Sequence, residues 1–259
     1  MAKDLRFSVQ LEHLRREADA IAGYVYAEMT IHHAASRSEK LLSRINSTPR
    51  FWNIVLASLQ SSAYISLARA FDEDGRYNLT NLVASMEADL AVFSRPALAE
   101  RKREGTSIDP PWLAQYVANA HELSSMDIAR IKKRVEMHKQ VYRRAIRPAR
   151  DKYIAHRIFE DQSTIQGLFA KGLANDLWRL STFLLRLHRV LSQAYDNGRK
   201  PLFSPMRRDI AQVFAATDGS NCAHDVTVRE TKRLLEFLEV ASPAKILDAD
   251  DTPFLERGE

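Results

Sequence analysis

Apolar residues recur at helical spacing along most of the chain. Four stripes show this most clearly, with members three or four residues apart. They consist of Leu11, Leu14, Ala18, Ile21, Val25 and Met29; of Trp52, Val55, Leu56, Leu59, Ala63 and Leu67; of Ile128, Ile131, Val135, His138 and Tyr142; and of Leu173, Leu177, Leu180, Leu184 and Leu191. Each stripe predicts a long helix that packs one face on a common core. No segment alternates convincingly between apolar and polar residues, so no strand is predicted.

Capping and turn residues predict where helices begin and end. Predicted starts are Thr48-Pro49, Asp109-Pro110, Ser204-Pro205 and a capping box over Thr227 to Glu230; predicted ends are Asp74-Gly75 and Asn197-Gly198. The polar stretch from Arg101 to Pro111 is predicted to be a loop.

These elements predict an all-α fold. A bundle of four or more long helices occupies residues 1–196, and residues 197–259 form a linker and a small helical C-terminal appendage. Glycine is scarce, with 8 residues in 259, which disfavours a β-fold that needs many tight turns.

Composition narrows the function classes only a little. The chain is 45% hydrophobic and 27% charged, which is typical of a folded protein. Its net charge of +5 permits a polyanionic partner without establishing one. The single cysteine, Cys222, excludes an intramolecular disulfide framework and a multi-cysteine zinc site.

The sequence favours a cytoplasmic protein that does not enter a membrane. Charged residues come directly after Met1, so no secretory signal is predicted. The longest charge-free run, Phe51 to Ala68, reaches the length of a short membrane span. It also contains an asparagine, a glutamine and several serines, which are too polar for hydrocarbon.

Several kinds of active site find no support in the sequence. There is no glycine-rich phosphate loop, no His-Glu-x-x-His pair and no Gly-x-Ser-x-Gly elbow. Cys222 and His224 alone do not make a metal site. We therefore expect neither a metal nor a cofactor.

The segment from Tyr142 to Arg157 is the strongest candidate for chemistry. It holds six cations and a single acid: Arg143, Arg144, Arg147, Arg150, Lys152 and Arg157, with Asp151. Pro148 predicts a break or kink in the helix, because proline lacks an amide donor and crowds the preceding turn. Arg150 and His156 lie six residues apart, so both can border one groove.

These two side chains are the minimum set for cleaving RNA through its own 2′-hydroxyl. Arginine binds a phosphate through a bidentate fork, and histidine transfers protons near neutral pH. On the residues alone, the alternative of a solvated basic face with a lone histidine stays open.

The spacing Arg150-Asp151-x-x-x-x-His156 resembles the signature of the HEPN superfamily (higher eukaryotes and prokaryotes nucleotide-binding). Leu67 to Asp72 and Asn78 to Leu82 resemble the second-helix region of its abortive-infection AbiU-like branch. The resemblance covers roughly residues 8–195. It implies an all-α bundle that commonly forms a homodimer, with the two motifs facing one cleft.

The resemblance also implies a metal-independent endoribonuclease that acts as a toxin or an antiphage, abortive-infection effector. Arg150 and His156 are then the catalytic pair, and Asp151 is the polar residue beside the arginine. Arg143, Arg147 and Arg157 are predicted to bind RNA, and an antitoxin protein is a possible partner. Two alternatives stay open. One is a catalytically inactive HEPN dimer that binds nucleotide, nucleic acid or protein; the other is a purely structural helical adaptor.

Some neighbouring residues have simpler interpretations. Arg69 and Asp72 are expected to pair along one helix, with bracing of the motif helix as the alternative. His138 is expected to be a packed histidine. Trp52, Trp112 and Trp178 are expected to be core anchors.

Overall fold

The computed structural model describes residues 2–103, 109–151, 174–204 and 223–240, and all of its regular elements there are helices. The helices are α1 (Ala2–Ala35), α2 (Glu39–Ser47), α3 (Pro49–Phe71), α4 (Leu79–Ala88), α5 (Arg95–Arg103), α6 (Leu113–Ala118), α7 (Ser125–Ala145), α8 (Arg147–Ala149), α9 (Ala174–Asn197) and α10 (Ala223–Val240). A 3-10 turn covers Leu90–Phe93. The predicted all-α fold is confirmed.

Helix α1 is the central element, and α3, α9 and α10 pack along it. Most members of the stripes predicted on α1, α7 and α9 lie in one buried cluster with the second half of α3, and Leu173 lies outside the described residues. Ile21 of α1, Leu67 of α3 and Leu184 of α9 are all completely buried. The periodicity therefore identifies the core faces correctly.

Helix α9 ends at Asn197, as the Asn197-Gly198 pair predicts. Gly198 has φ +58°, the left-handed region that favours glycine. The Gly198 amide donates to the Ala194 carbonyl at 3.2 Å, which is the hydrogen bond of an αL helix cap, and the Arg199 amide donates to the Gln193 carbonyl at 3.0 Å. The end of α9 also packs tightly, since a Cβ at Gly198 would lie 2.6 Å from the Cβ of Ala120.

Three predicted boundaries are wrong, and tertiary contacts give the reason. Helix α10 begins at Ala223 rather than Thr227, and Asp225 and Val228 near its start are buried. Helix α5 extends through Arg101, whose guanidinium donates to the carbonyls of Val92 and Tyr195. Helix α6 begins only at Leu113, after Asp109-Pro110. The start predicted at Ser204-Pro205 lies outside the described residues.

The last described helix packs on the bundle. Val228 of α10 lies against Ala22 and Tyr26 of α1. Farther along α10, Leu235 joins a second small cluster, whose other buried members are Ile31, Leu41 and Trp52. The division at residues 196 and 197 falls at the end of α9, and it stays a prediction.

Two of the three tryptophans pack as expected. Trp52 is buried, and Trp178 lies 4.8 Å from the ring of Tyr26. The expectation is wrong for Trp112, which is 51% exposed and packs only edge-on against Tyr116.

Helix α3 is long and apolar enough, by length and composition, to cross a membrane. Its second half supplies core residues such as Tyr64 and Leu67, as a core helix of a water-soluble protein does. Its first half exposes Phe51 and Ile54. One such helix is weak evidence for a membrane span.

Candidate active site

The chain reaches Arg150 through a broken helix. Helix α7 starts at a capping box of Ser124 and Asp127 and ends at Ala145, three residues before Pro148. One short turn follows, in which the Arg150 amide donates to the Ile146 carbonyl at 3.0 Å. The break predicted from Pro148 is present between Ala145 and Arg147, and the Arg150 side chain beyond it contacts Asp72 at the end of α3.

Asp72, at the end of α3, holds Arg150. The Arg150 Nη2 donates to Asp72 Oδ2 at 2.5 Å, a contact between residues 78 positions apart. The Arg150 Nε also lies 2.8 Å from Asp151 Oδ1, without the alignment of a hydrogen bond. The Arg150 side chain is only 20% exposed. Its guanidinium is therefore fixed in place by two carboxylates.

An aromatic layer lies beneath this contact. Phe71 and Tyr142 are buried, and their rings stack at 5.3 Å. Burial raises the pKa of the Tyr142 hydroxyl, and Asp72 adds to the effect, so the hydroxyl stays protonated at neutral pH. Arg150 and Asp72 thus lie close to a buried, stacked aromatic pair.

A second pair of charges lies beside the first. The Lys139 side chain is 6% exposed, and its Nζ donates to Glu73 Oε1 at 2.5 Å and to Thr80 Oγ1 at 2.8 Å. These contacts from the Lys139 ammonium hold the pKa of the Glu73 carboxyl below its ordinary value, and Arg143 adds to the effect. Lys139 ties α7 to the segment between α3 and α4.

The predicted RNA-binding arginines in the described residues already have acidic partners. Arg143 contacts Glu73 at 3.0 Å and Glu136 at 3.2 Å. Arg147 contacts Asp151 at 3.3 Å. Because these pairs are largely exposed, each adds little to stability, and a phosphate can replace the carboxylate at little cost. His156 and Arg157 lie outside the described residues.

The structure thus brings Arg150, Asp151 and Arg147 together and adds residues that the sequence did not single out. Glu73 and Lys139 were missed, although Lys139 follows Val135 at helical spacing on a core face. The pairing expected between Arg69 and Asp72 is wrong, since Arg69 contacts Glu17 at 3.0 Å. The alternative, bracing of the motif helix, is present for Asp72, which contacts Arg150, and not for Arg69.

His138 packs as expected. Its ring stacks on Phe183 of α9 at 3.7 Å, and its Nδ1 lies 2.8 Å from the Arg134 carbonyl. Burial lowers the pKa of His138, and nearby arginines add to the effect, so the ring is neutral at pH 7. Within the described part of the chain, no group of three or more histidine, cysteine, aspartate or glutamate side chains is arranged to hold a metal.

Comparison with known proteins identifies the family. A family model described as AbiU2, of the HEPN type, matches residues 4–214, which include Asp72, Arg150 and His156. No curated protein and no solved structure matches the chain. The match extends past the predicted boundary at residue 196 and covers most of the sequence. The chain therefore belongs to the AbiU2 family of HEPN proteins.

Proposed function

We propose that this protein is a metal-independent HEPN endoribonuclease that acts as a toxin or an antiphage, abortive-infection effector. The observation that supports the proposal most is the contact of Arg150 with Asp72. This contact holds the motif arginine close to the buried, stacked rings of Phe71 and Tyr142 and leaves its guanidinium partly exposed. A cation that is held in place before the substrate binds needs little reorganisation to stabilise the transition state.

The proposed reaction is transesterification. The RNA 2′-oxygen attacks the adjacent phosphorus and loses its proton to a general base. The bond from phosphorus to the 5′-oxygen then breaks, and that oxygen gains a proton. The products are a 2′,3′-cyclic phosphate and a 5′-hydroxyl. Arg150 binds the phosphate and stabilises its growing charge, and His156 transfers a proton. Asp151 and Asp72 hold the guanidinium in orientation.

Two proton transfers need two proton-transfer groups, but one motif carries a single histidine. We therefore include a homodimer in the proposal, in which two motifs related by a two-fold axis form one composite cleft. An antitoxin protein that covers this cleft is a further partner of the proposed toxin, and the cytoplasm is its proposed location.

One observation favours a second function. Asp72 and Asp151 already neutralise the charge of Arg150, as in a purely structural ion pair. In that case the protein is a catalytically inactive HEPN dimer that binds nucleotide, nucleic acid or protein. The two functions predict different effects of removing Arg150. For a nuclease the variant keeps its fold and loses RNA cleavage, whereas for a structural ion pair the variant loses stability.

The test compares wild type with Arg150→Ala and His156→Ala, first on induction in a bacterium and then on purified RNA with EDTA. We expect the wild type to stop growth and to cleave RNA in EDTA. We expect each variant to lose about 10²–10⁴-fold in rate while keeping its helical circular dichroism. Cleavage that stops in EDTA and returns with Mg²⁺ would contradict the mechanism. A wild type that leaves RNA intact would favour the inactive dimer.

A further inference from the structure

A second group of cations, on α7 and α9, faces the segment that follows α9. This group is distinct from the cations around Arg150. Cavities of about 350 Å³ and 560 Å³ lie on the two sides of residues 200–204, which we call the strap. Seven cations line them: Arg130, Lys133, Arg134, Arg186, Arg189, Arg199 and Lys200. We call the two cavities together the basic cleft.

The cations of the basic cleft have almost no acidic partners. Among the described residues, the one carboxylate that lines either cavity is Asp127, which lies 3.6 Å from Arg130. That carboxylate also caps the start of α7 through Ser124. Lys133, Arg189 and Lys200 contact no carboxylate in the part of the chain that the structure describes. An excess of like charge is therefore concentrated in one concave surface.

Burial lowers the pKa of Arg186, and the nearby charge of Arg134 adds to the effect. Both arginines also contact the strap. The Arg186 guanidinium donates to the Ser204 carbonyl, and the Arg134 guanidinium lies 4.8 Å from the centre of the Phe203 ring. Contacts with the strap thus hold these two like charges close together, which favours the approach of an anion.

The basic cleft is separate from the candidate active site. Arg134 and Arg143 are nine residues apart on α7, a rotation of about 900°, so they lie on opposite faces of that helix. Arg143 belongs to the paired charges near Arg150, whereas Arg134 belongs to the cleft. A ligand in the cleft therefore leaves Arg150 uncovered.

We propose that the basic cleft is a second binding surface for single-stranded RNA. This inference rests on the proposed function only in the choice of RNA as the ligand. Phosphates of the strand contact the cations on both sides of the strap. Phe203 and the 66% exposed Leu202 offer apolar contact to unstacked bases. The combination of concave basic walls and an apolar strap fits a single strand better than a duplex, whose bases are stacked inside.

The test is a binding experiment that needs no catalysis. The probe is a fluorescent 2′-O-methyl oligoribonucleotide, which cannot be cleaved through its 2′-oxygen. The cleft variant is K133S/R189S/K200S. The control variant is R37S/K40S/R50S, which removes the same charge from exposed positions that are distant in sequence from the basic cleft. These three side chains have no acidic partner in the described structure. Circular dichroism melting checks that both variants fold.

We expect the cleft variant to bind on the order of 100-fold more weakly at ~0.1 M salt, and its log–log salt slope to fall by about two, because three phosphate contacts are lost. We expect the control variant to bind almost as the wild type does. Equal affinity of the two variants would overturn the proposal. Displacement of the probe by polyglutamate at the same charge concentration would also overturn it, in favour of an acidic protein partner.

A second measurement separates this inference from the proposed function. If the wild type cleaves RNA, we expect the cleft variant to raise KM on long RNA, to keep kcat, and to cleave a dinucleotide at the wild-type rate. A loss of kcat on the dinucleotide would overturn the proposal by placing the cleft in the catalytic machinery. If the wild type cleaves nothing, the proposed function fails, and the binding experiment still decides on the cleft.

Discussion

At the scale of single residues, Asp72 positions the proposed catalytic arginine. We expect Asp72→Asn to lower RNA cleavage about 10- to 100-fold, because a misplaced charge stabilises the transition state poorly. The free energy of unfolding is expected to fall by about 1–3 kcal/mol, since the pair is mostly buried and Asp151 stays as the second carboxylate beside the guanidinium. Cleavage assays and thermal melts measure the two effects.

The control for Asp72 is Asp74→Asn, an exposed carboxylate in the same segment. A double-mutant cycle completes the test. If Asp72 acts through Arg150, the variant with both Asp72→Asn and Arg150→Ala loses no more activity than Arg150→Ala alone. Additive losses would contradict a positioning role.

The contact of Lys139 with Glu73 predicts a pH dependence of stability. The pKa of the Glu73 carboxyl is below its ordinary value of 4.5, so the contact stabilises the fold above that pH. Its contribution disappears as the pH falls through the lower, folded-state pKa. We therefore expect Glu73→Gln to melt earlier than wild type at pH 7, and the difference to vanish in acid.

Thermal melts over a series of pH values test this dependence. The control is Glu87→Gln, whose carboxylate contacts the exposed Lys132 rather than a buried lysine. We expect that variant to melt close to wild type throughout. A Glu73→Gln difference that persists in strong acid would show that the effect is not ionic.

The sequence predicts single residues unevenly. Arg150 and Asp151 could be singled out because their spacing to His156 matches a motif. The partners Glu73 and Lys139 could not, because their contact joins segments 66 positions apart. Asp72 could be named only as an alternative brace of the motif helix, since its contact with Arg150 spans 78 positions. Only the packed bundle brings these segments together.

At the scale of elements, Gly198 lies directly after α9 and packs closely against Ala120. We expect Gly198→Ala to lower the free energy of unfolding by about 2 kcal/mol, since alanine is strained at φ +58° and its Cβ crowds Ala120. Thermal or denaturant unfolding measures the loss.

The control for Gly198 is Gly23→Ala inside α1, where a Cβ would lie 3.8 Å from the nearest atom, Thr227 Oγ1. There alanine fits and has the better helix propensity, so we expect a gain of about 0.5–1 kcal/mol. A Gly198→Ala protein as stable as wild type would contradict the tight closure.

Helices are predicted from sequence better than their ends. The periodicity of α1, α7 and α9 reports burial directly, because one face of each helix is apolar over several turns. Ends depend on contacts that a local pattern does not contain. Arg101 keeps α5 helical through bonds to Val92 and Tyr195, and no residue near Arg101 in sequence signals them.

At the scale of the whole molecule, the proposed composite cleft predicts a dimer. Light scattering at micromolar concentration is expected to give about twice the chain mass of 29.5 kDa. Arg150→Ala is expected to keep that mass, because the arginine contacts its own chain. A monomeric protein that still cleaves RNA would contradict the two-motif mechanism.

The contact of Arg150 with Asp72 also has a consequence for synthesis of the protein. Asp72 leaves the ribosome long before Arg150, so the two meet only after more than half of the chain has been made. A growing chain that ends before residue 150 lacks the motif altogether. If RNA cleavage depends on this arginine, a nascent copy is harmless to the message that encodes it for most of translation.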